Sequence, residues 1–380
     1  MSGHQDDTAL FHEMINRVLD KEIAPHYDEW EEQSAIPRPV WNTLGQAGML
    51  GIDMPEEYGG AAASFEISQL AISEIARKGF GGLAGGYNIH ANIVMPYILH
   101  LGTEAQKERY LPGMVRGDIL SAIAMTEPGA GSDLAAMRTT AQRTDDGYVI
   151  NGAKVFITNG LQAELVIVCA KTDPQAGAKG VSLFLVDASL RGFTRGKGIR
   201  KIGQHASDTA ELFFSDLVVP HDALLGEEGK GFAYLMQELP RERLGVAAQA
   251  VGATEGVLAL TLDYVQQRQA FGQRVADFQN TRFKLAEARA RLEVGKAYLN
   301  QCIGNYLKGE MGPTEAAILK LMLTEMQCDI ANDCLQLFGG YGYTVEYPVS
   351  RFFVDARVQT IYAGTSEIMK EVIARSMLGK

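Results

Sequence analysis

The hydrophobic period of the chain changes twice. Up to about residue 120 apolar positions recur at helical spacing. In "ALFHEMINRVLDKEIAP", Leu10, Met14, Val18 and Leu19 share one side and Pro25 ends the run. "FEISQLAISEIARKG" repeats the pattern and closes on Gly79, a predicted C-terminal cap, and "HANIVMPYILHLG" and "EAQKERYLPGM" continue it. Between about 121 and 222 the period drops to two. "RTDDGYVINGAKVFITNG" is a hairpin with an Asp-Gly turn, and "AELVIVCAKT", "GVSLFLVDA" and "TAELFFSDLVVP" are short β-branched runs bounded by Gly, Pro and Asp. Strands in series without intervening helices predict a small barrel or sandwich. From about 226 the helical period returns in long stretches. One runs nearly forty residues from "GFAYLMQELPRERLG" and is interrupted only by Pro240. The expected fold is α+β and multidomain: helical residues 1–120, a small β-barrel or sandwich at 121–225, and an antiparallel helical bundle at 226–380.

Composition narrows the picture only a little. The 380 residues are 46% apolar and 21% charged, as in globular proteins generally, and can bury a large core. The formal net charge of −11, without a basic run, argues against nucleic acid or an anionic membrane as partner. The four cysteines, Cys169, Cys302, Cys328 and Cys334, show no CxxC spacing and read as reduced thiols. "MSGHQDDTAL" is unlike a targeting peptide, and no apolar run reaches the ~18 residues of a membrane span, so a cytoplasmic enzyme is expected.

The candidate chemistry lies in Gly-rich stretches. "GFGGLA", 79–84, nearly matches a dinucleotide fingerprint, but it follows a helix instead of a strand and reads as a flexible interhelical loop. No HExxH, GxSxG or Walker loop occurs, and no His/Cys/Asp cluster has metal spacing. "AMTEPGAGSDLAAM", 124–137, gathers Thr126, Gly129, Gly131 and Ser132 where helices give way to strands, a composition suited to close approach by a polar ligand or phosphate. An ordinary Gly/Pro connector is the plainer reading of it. "VFITNG" and "QLFGGYGYTVEYP" add a second Thr beside an aromatic and a third Gly-rich stretch.

Together these pieces resemble the acyl-CoA dehydrogenases over nearly the whole chain. The matching motifs are "AMTEPGAGSD", "KVFITNG", "QRQAFGQ", "QLFGGYGYTVEYP" and "IYAGTSEIMKE", in the family's order and spacing. The resemblance implies a helical N-terminal domain, a middle β-barrel and a C-terminal four-helix bundle. It further implies FAD as cofactor, a homo-oligomer (usually a tetramer), electron-transfer flavoprotein as acceptor, and formation of a trans α,β double bond in an acyl-CoA. That reaction takes a proton from the carbon beside the thioester carbonyl, so it needs a carboxylate base and donors on the carbonyl oxygen.

In much of the family the base is the Glu of a YEGT loop, and here that position is Ala363. Long-chain and isovaleryl-CoA dehydrogenases instead carry the Glu on a bundle helix before Arg-Leu, matching Glu242 in "LMQELPRERLG". On a helical wheel Glu242 shares a face with Leu235, Leu239, Gly245, Val246, Ala253 and Leu260. A carboxylate there is costly without a purpose, although pairing with Arg241 or Arg243 on a solvated face reads equally well from the wheel alone. With the resemblance, Glu242 is the expected base and Glu238, one turn earlier, the runner-up. Ala363 keeps a backbone N–H for the thioester oxygen.

Carried over residue by residue, the resemblance assigns Met125, Thr126, Ser132, Phe156, Ile157, Thr158, Thr365 and Glu367 to FAD. It assigns Arg268, Phe271, Gln279, Gln336, Gly339 and Gly340 to the FAD of a neighbouring subunit, and Ser132, Arg243 and Gly364 to the acyl-CoA. Glu127 reads as structural or FAD-contacting. "IHANIVMPYI", "MQELPRERL" and "EIMKEVIAR" lean toward the long-chain members. Two other readings stay open: dehydrogenation of a carrier-protein-tethered acyl or aminoacyl group, and a non-catalytic flavoprotein on this fold.

Overall fold

A computed structural model describes residues 2–379. Its helices are α1 (Ser2–Val18), α2 (Tyr27–Gln33), α3 (Pro39–Gln46), α4 (Phe65–Arg77), α5 (Gly81–Tyr87), α6 (Met95–Leu101) and α7 (Glu104–Val115), then α8 (Gly231–Gln267), α9 (Gln279–Leu307), α10 (Pro313–Phe338), α11 (Pro348–Gln359) and α12 (Ser366–Leu378). Between the two helical groups lie β1 (Ser121–Ala124), β2 (Thr140–Arg143), β3 (Gly147–Thr158), β4 (Leu165–Lys171), β5 (Val181–Asp187), β6 (Phe193–Gly198), β7 (Thr209–Pro220) and β8 (Leu224–Leu225). The α, β, α order read from the period changes is the order observed.

The eight strands form one mixed sheet, ordered β6-β7-β3-β2-β4-β5-β8, with β1 parallel to β4. It curls on itself: Tyr148 of β3 and Phe184 of β5 are not on neighbouring strands, yet their rings pack at 4.9 Å inside one core. The hairpin at the Asp-Gly turn is present as β2–β3, with Arg143 opposite Tyr148. Period-two alternation gives β4 two jobs. Val166, Val168 and Ala170 point into the barrel, whereas Leu165, Ile167 and Cys169 join the helical core. The outer face of this sheet is thereby the wall against which the helices pack.

In the bundle, α9 and α10 run antiparallel. Lys284 meets Asp333, Arg291 meets Asp329 and Asn305 meets Glu315, so numbers rise on one helix as they fall on the other. The central α8 spans 37 residues and passes through Pro240. Every residue from 241 to 254 is buried, because α4, α9, α10 and the 88–94 segment all pack around it. By length and composition α8 does qualify as a membrane span, contrary to the sequence expectation, but 83% of its most apolar window is buried inside the protein.

A second expectation fails at "GFGGLA". The stretch is no flexible loop: Gly79 (φ 78°) ends α4 as expected, and the glycines from 81 onward begin the buried helix α5. Added Cβ atoms would lie 2.7 Å from the Ser207 amide nitrogen at Gly82 and 2.8 Å from Asn159 Oδ1 at Gly86. These glycines are there for close packing of helix against barrel. All four cysteines are free.

Candidate active site

The centre of the site is the turn of α8 around Glu242. Its side chain is 3% exposed, and Tyr97 Oη–H of α6 donates to Oε1 at 2.8 Å, leaving Oε2 for another partner. Burial raises the carboxyl pKa to about 7; the Tyr97 hydrogen bond and the Arg243 charge pull it down, and the Glu238 charge pushes it up. A carboxyl poised near neutrality and shielded from water is suited to removing a weakly acidic proton.

The solvated-face alternative is not what forms. Arg241 turns to Asp53 and to the Asn92 carbonyl, with its guanidinium over the Phe65 ring. Arg243 is buried with its Nε unpartnered, and a Cβ at Gly364 would stand 3.6 Å from its Nη2. Helix α8 and the loop before α12 therefore meet at Arg243, next to Glu242. Glu238 is also buried, but its Oε1 contacts His100 Nδ1 at 2.9 Å.

The loop itself has an uncommon backbone. Ala363 (φ 51°) and Gly364 (φ 95°) are both left-handed, the first unusual for a residue with a Cβ. Four contacts hold the turn: Ser366 N–H to the Thr360 carbonyl at 3.0 Å, Met369 N–H to the Thr365 carbonyl at 2.9 Å, Ile368 N–H to Thr365 Oγ1 at 3.3 Å, and Lys320 Nζ to the Gly364 carbonyl at 2.7 Å. Thr365 is the N-cap of α12. Lys320 is fully buried, and desolvation together with the Arg243 charge lowers its pKa to about 8.

A second group of expected residues gathers at the mouth of the barrel. Met125 and Thr126 follow β1 and are held from behind. Lys154 Nζ donates to the Met125 carbonyl (3.0 Å) and to Glu127 Oε1 (2.9 Å), while Glu127 accepts the Arg138 and Thr139 amides. Glu127 is thus a clamp for this loop. Ser132 is exposed, and at Gly129 and Gly131 a Cβ would meet nothing within 4 Å, so the loop faces open space. A bulge between Lys154 and Ile157 in the β3–β7 pairing turns Phe156 outward, 65% exposed at φ 61°. Thr158 is half-buried beside it, but the Ile157 side chain points into the barrel core, which leaves only its backbone for a ligand.

The third group lies at the far end of α8. Arg268, Gln336, Gly339 and Gly340 line a cleft of about 470 Å³ with Tyr264 and Tyr341; Phe271 (97% exposed) and Gln279 lie outside it. Glu242 and Arg268 are 26 residues apart on one helix axis, a rise of roughly 39 Å. Glu242 and this cleft therefore lie at well-separated places along α8.

Sequence reasoning missed three buried polar side chains: Tyr97, Lys320 and Lys154. Each stands in an apolar stretch ("NIVMPYIL", "AAILKLML", "GAKVFI"), where a buried hydroxyl or ammonium demands a partner, and that demand was the available signal.

The two helical groups and the sheet between them are matched in turn by three family models. The chain matches "Acyl-CoA dehydrogenase, N-terminal domain" over residues 5–118, "middle domain" over 122–217 and "C-terminal domain" over 229–378, and it belongs to the acyl-CoA dehydrogenase family. It is 45% identical over 371 residues, 97% of this chain and 86% of the relative, to the mitochondrial long-chain specific acyl-CoA dehydrogenase of Mus musculus. Among solved structures it superposes on an acyl-CoA dehydrogenase from Geobacillus kaustophilus with a TM-score of 0.94 at 45% identity, covering 99% of this chain and 98% of that one. A glutaryl-CoA dehydrogenase from Mycobacterium smegmatis, in complex with FADH2, gives 0.93 at 30% identity over 98% and 95% of the two chains. The cofactor of the family is FAD, and the open Gly129–Gly131 loop, the outward Phe156 and the capped start of α12 fit a flat ring with a diphosphate tail.

Proposed function

We propose that the chain oxidises an acyl-CoA thioester to the trans-2-enoyl-CoA, with Glu242 as the base. The observation that carries this reading is the buried Glu242 carboxyl, positioned by Tyr97 and adjoining the Ala363–Gly364 loop through Arg243. Bound FAD supplies the acceptor for the hydride that leaves the β carbon. Glu242 Oε2 takes the α proton while Tyr97 keeps Oε1 fixed, and the Ala363 N–H, whose loop Lys320 anchors, donates to the thioester oxygen as negative charge develops there. Position 363 needs only its backbone for that task, which is why alanine serves. Arg243, Gly364 and Ser132 are assigned to the acyl-CoA, Ser132 serving the cofactor as well.

Met125, Thr126, Ser132, Phe156, the Ile157 backbone, Thr158, Thr365 and Glu367 are the proposed FAD contacts of one subunit. Arg268, Phe271, Gln279, Gln336, Gly339 and Gly340 are those offered to the FAD of a second copy. The separation along α8 supports that division, and in this reading the enzyme is a homo-oligomer, a tetramer, with electron-transfer flavoprotein as the acceptor. The test is an anaerobic titration of the purified protein with butyryl-, octanoyl-, palmitoyl- and isovaleryl-CoA, read by bleaching of the flavin. Bleaching by at least one of them is expected, and a yellow protein that none of them bleaches contradicts the assignment.

A further inference from the structure

Two contacts join α6 to α8 beside Glu242. Tyr97 and His100 lie three residues apart on α6, and Glu242 and Glu238 lie four apart on α8, so the two helices meet through two rungs: Tyr97 Oη to Glu242 Oε1 at 2.8 Å and His100 Nδ1 to Glu238 Oε1 at 2.9 Å. Residues at this helical spacing are neighbours on one face. Glu238 is 4% exposed, and a carboxylate buried there is costly unless something compensates it. Its recorded partner is an imidazole whose side chain is 38% exposed, in reach of bulk water.

We propose that the His100–Glu238 pair is a positioning element that sets the proton affinity of the base. The inference rests on the reading of Glu242 as that base. A bare Glu238 carboxylate one turn away disfavours a second negative charge on Glu242, and a protonated His100 offsets it, forming an ion pair only in that state. The same direction of effect from Glu238 is found among the causes of the raised Glu242 pKa. The other groups facing Glu242 do not duplicate this switch. Tyr97 and Arg243 both favour the carboxylate, and Cys169 of β4 is a neutral thiol, its pKa pushed up to about 12 by burial. Lys320 of α10 faces Arg243. His100 is the member of this cluster open to solvent.

The test measures the pH dependence of flavin reduction by the fastest of the four acyl-CoAs above, in the anaerobic holoenzyme. Reduction needs ionised Glu242, so its rate rises with pH through the pKa of that residue. His100→Gln exposes Glu238 and is expected to move the midpoint up by about half a unit to one unit. Glu238→Gln removes the repelling charge and is expected to move it down by about as much. His100→Lys keeps a cation in place and restores the wild-type midpoint, and the double variant His100→Gln/Glu238→Gln behaves like Glu238→Gln alone. A merely structural pair would change rate or FAD content without these opposed shifts. Unmoved midpoints, with Glu242→Gln inactive, overturn the tuning role and leave the base assignment standing. Reduction that persists in Glu242→Gln overturns the base assignment itself. If His100→Gln does not retain FAD, Glu238→Gln and His100→Lys carry the same decision.

Discussion

At the residue scale, Glu242 combines burial with a function that requires its charge, and the two oppose each other. In an unfolded chain the carboxyl titrates near its ordinary 4.5, whereas in the fold it titrates at about 7. A group with a raised folded pKa contributes stability below its unfolded value and loses it as pH rises through the folded one. Glu242→Gln removes that penalty and is expected to stabilise the protein at pH 8, by up to about 3 kcal/mol, and to change it little at pH 4. Thermal unfolding at the two pH values checks this, and an equal effect at both contradicts the burial account. Tyr97→Phe deletes the donor that favours the carboxylate, so the midpoint of flavin reduction is expected to rise above that of the wild type. Glu242 was legible because "ERL" matched a motif and its wheel face was apolar. Tyr97 was not, because a tyrosine in an apolar helix has the periodicity of core, and the partner that distinguishes it is 145 positions away in sequence.

At the scale of elements, the Ala363–Gly364 loop joins backbone strain to a carbonyl anchor. Ala363→Pro is expected to lose most activity. Proline has no N–H for the thioester oxygen and fixes φ near −65°, whereas this position sits at 51°. Ala363→Gly keeps the donor, relieves the left-handed strain and is expected to retain activity; the removal of one oxyanion donor typically costs ~3–4 kcal/mol in the transition state. Comparison of the flavin reduction rates of the two variants checks the pair, and equal losses contradict the backbone role. Lys320→Met is expected to free the Gly364 carbonyl and slow reduction while FAD stays bound. The loop was readable from the "IYAGTSEIMKE" motif. The bulge that turns Phe156 outward was not, because a bulge is a register mismatch with β7 and involves a strand some fifty positions later. "GFGGLA" misled for a related reason: glycines needed for close packing look the same in sequence as glycines needed for flexibility.

At the scale of the whole molecule, the domain order was legible because the period of burial changes where the layers change. Less visible was that β4 and β5 are buried on both faces, one serving the barrel and the other the helices. The roughly 39 Å between Glu242 and Arg268 sets the whole-molecule expectation: FAD content depends on assembly. Arg268→Ala with Gln336→Ala is expected to weaken FAD retention while leaving the fold intact, and dilution of the wild type to subunits is expected to release FAD. Sedimentation with flavin absorbance measures both, and a monomer that keeps one FAD per chain contradicts the shared site.

The most direct test of the account is anaerobic reduction of the bound flavin by acyl-CoA in the wild type, Glu242→Gln and Glu238→Gln side by side. The expected result is a wild-type rate that rises with pH through about 7, an active Glu238→Gln, and a Glu242→Gln enzyme slowed by ~10⁴-fold or more that still binds FAD and substrate. An active Glu242→Gln beside an inactive Glu238→Gln would move the base one turn back along α8 and contradict the central claim.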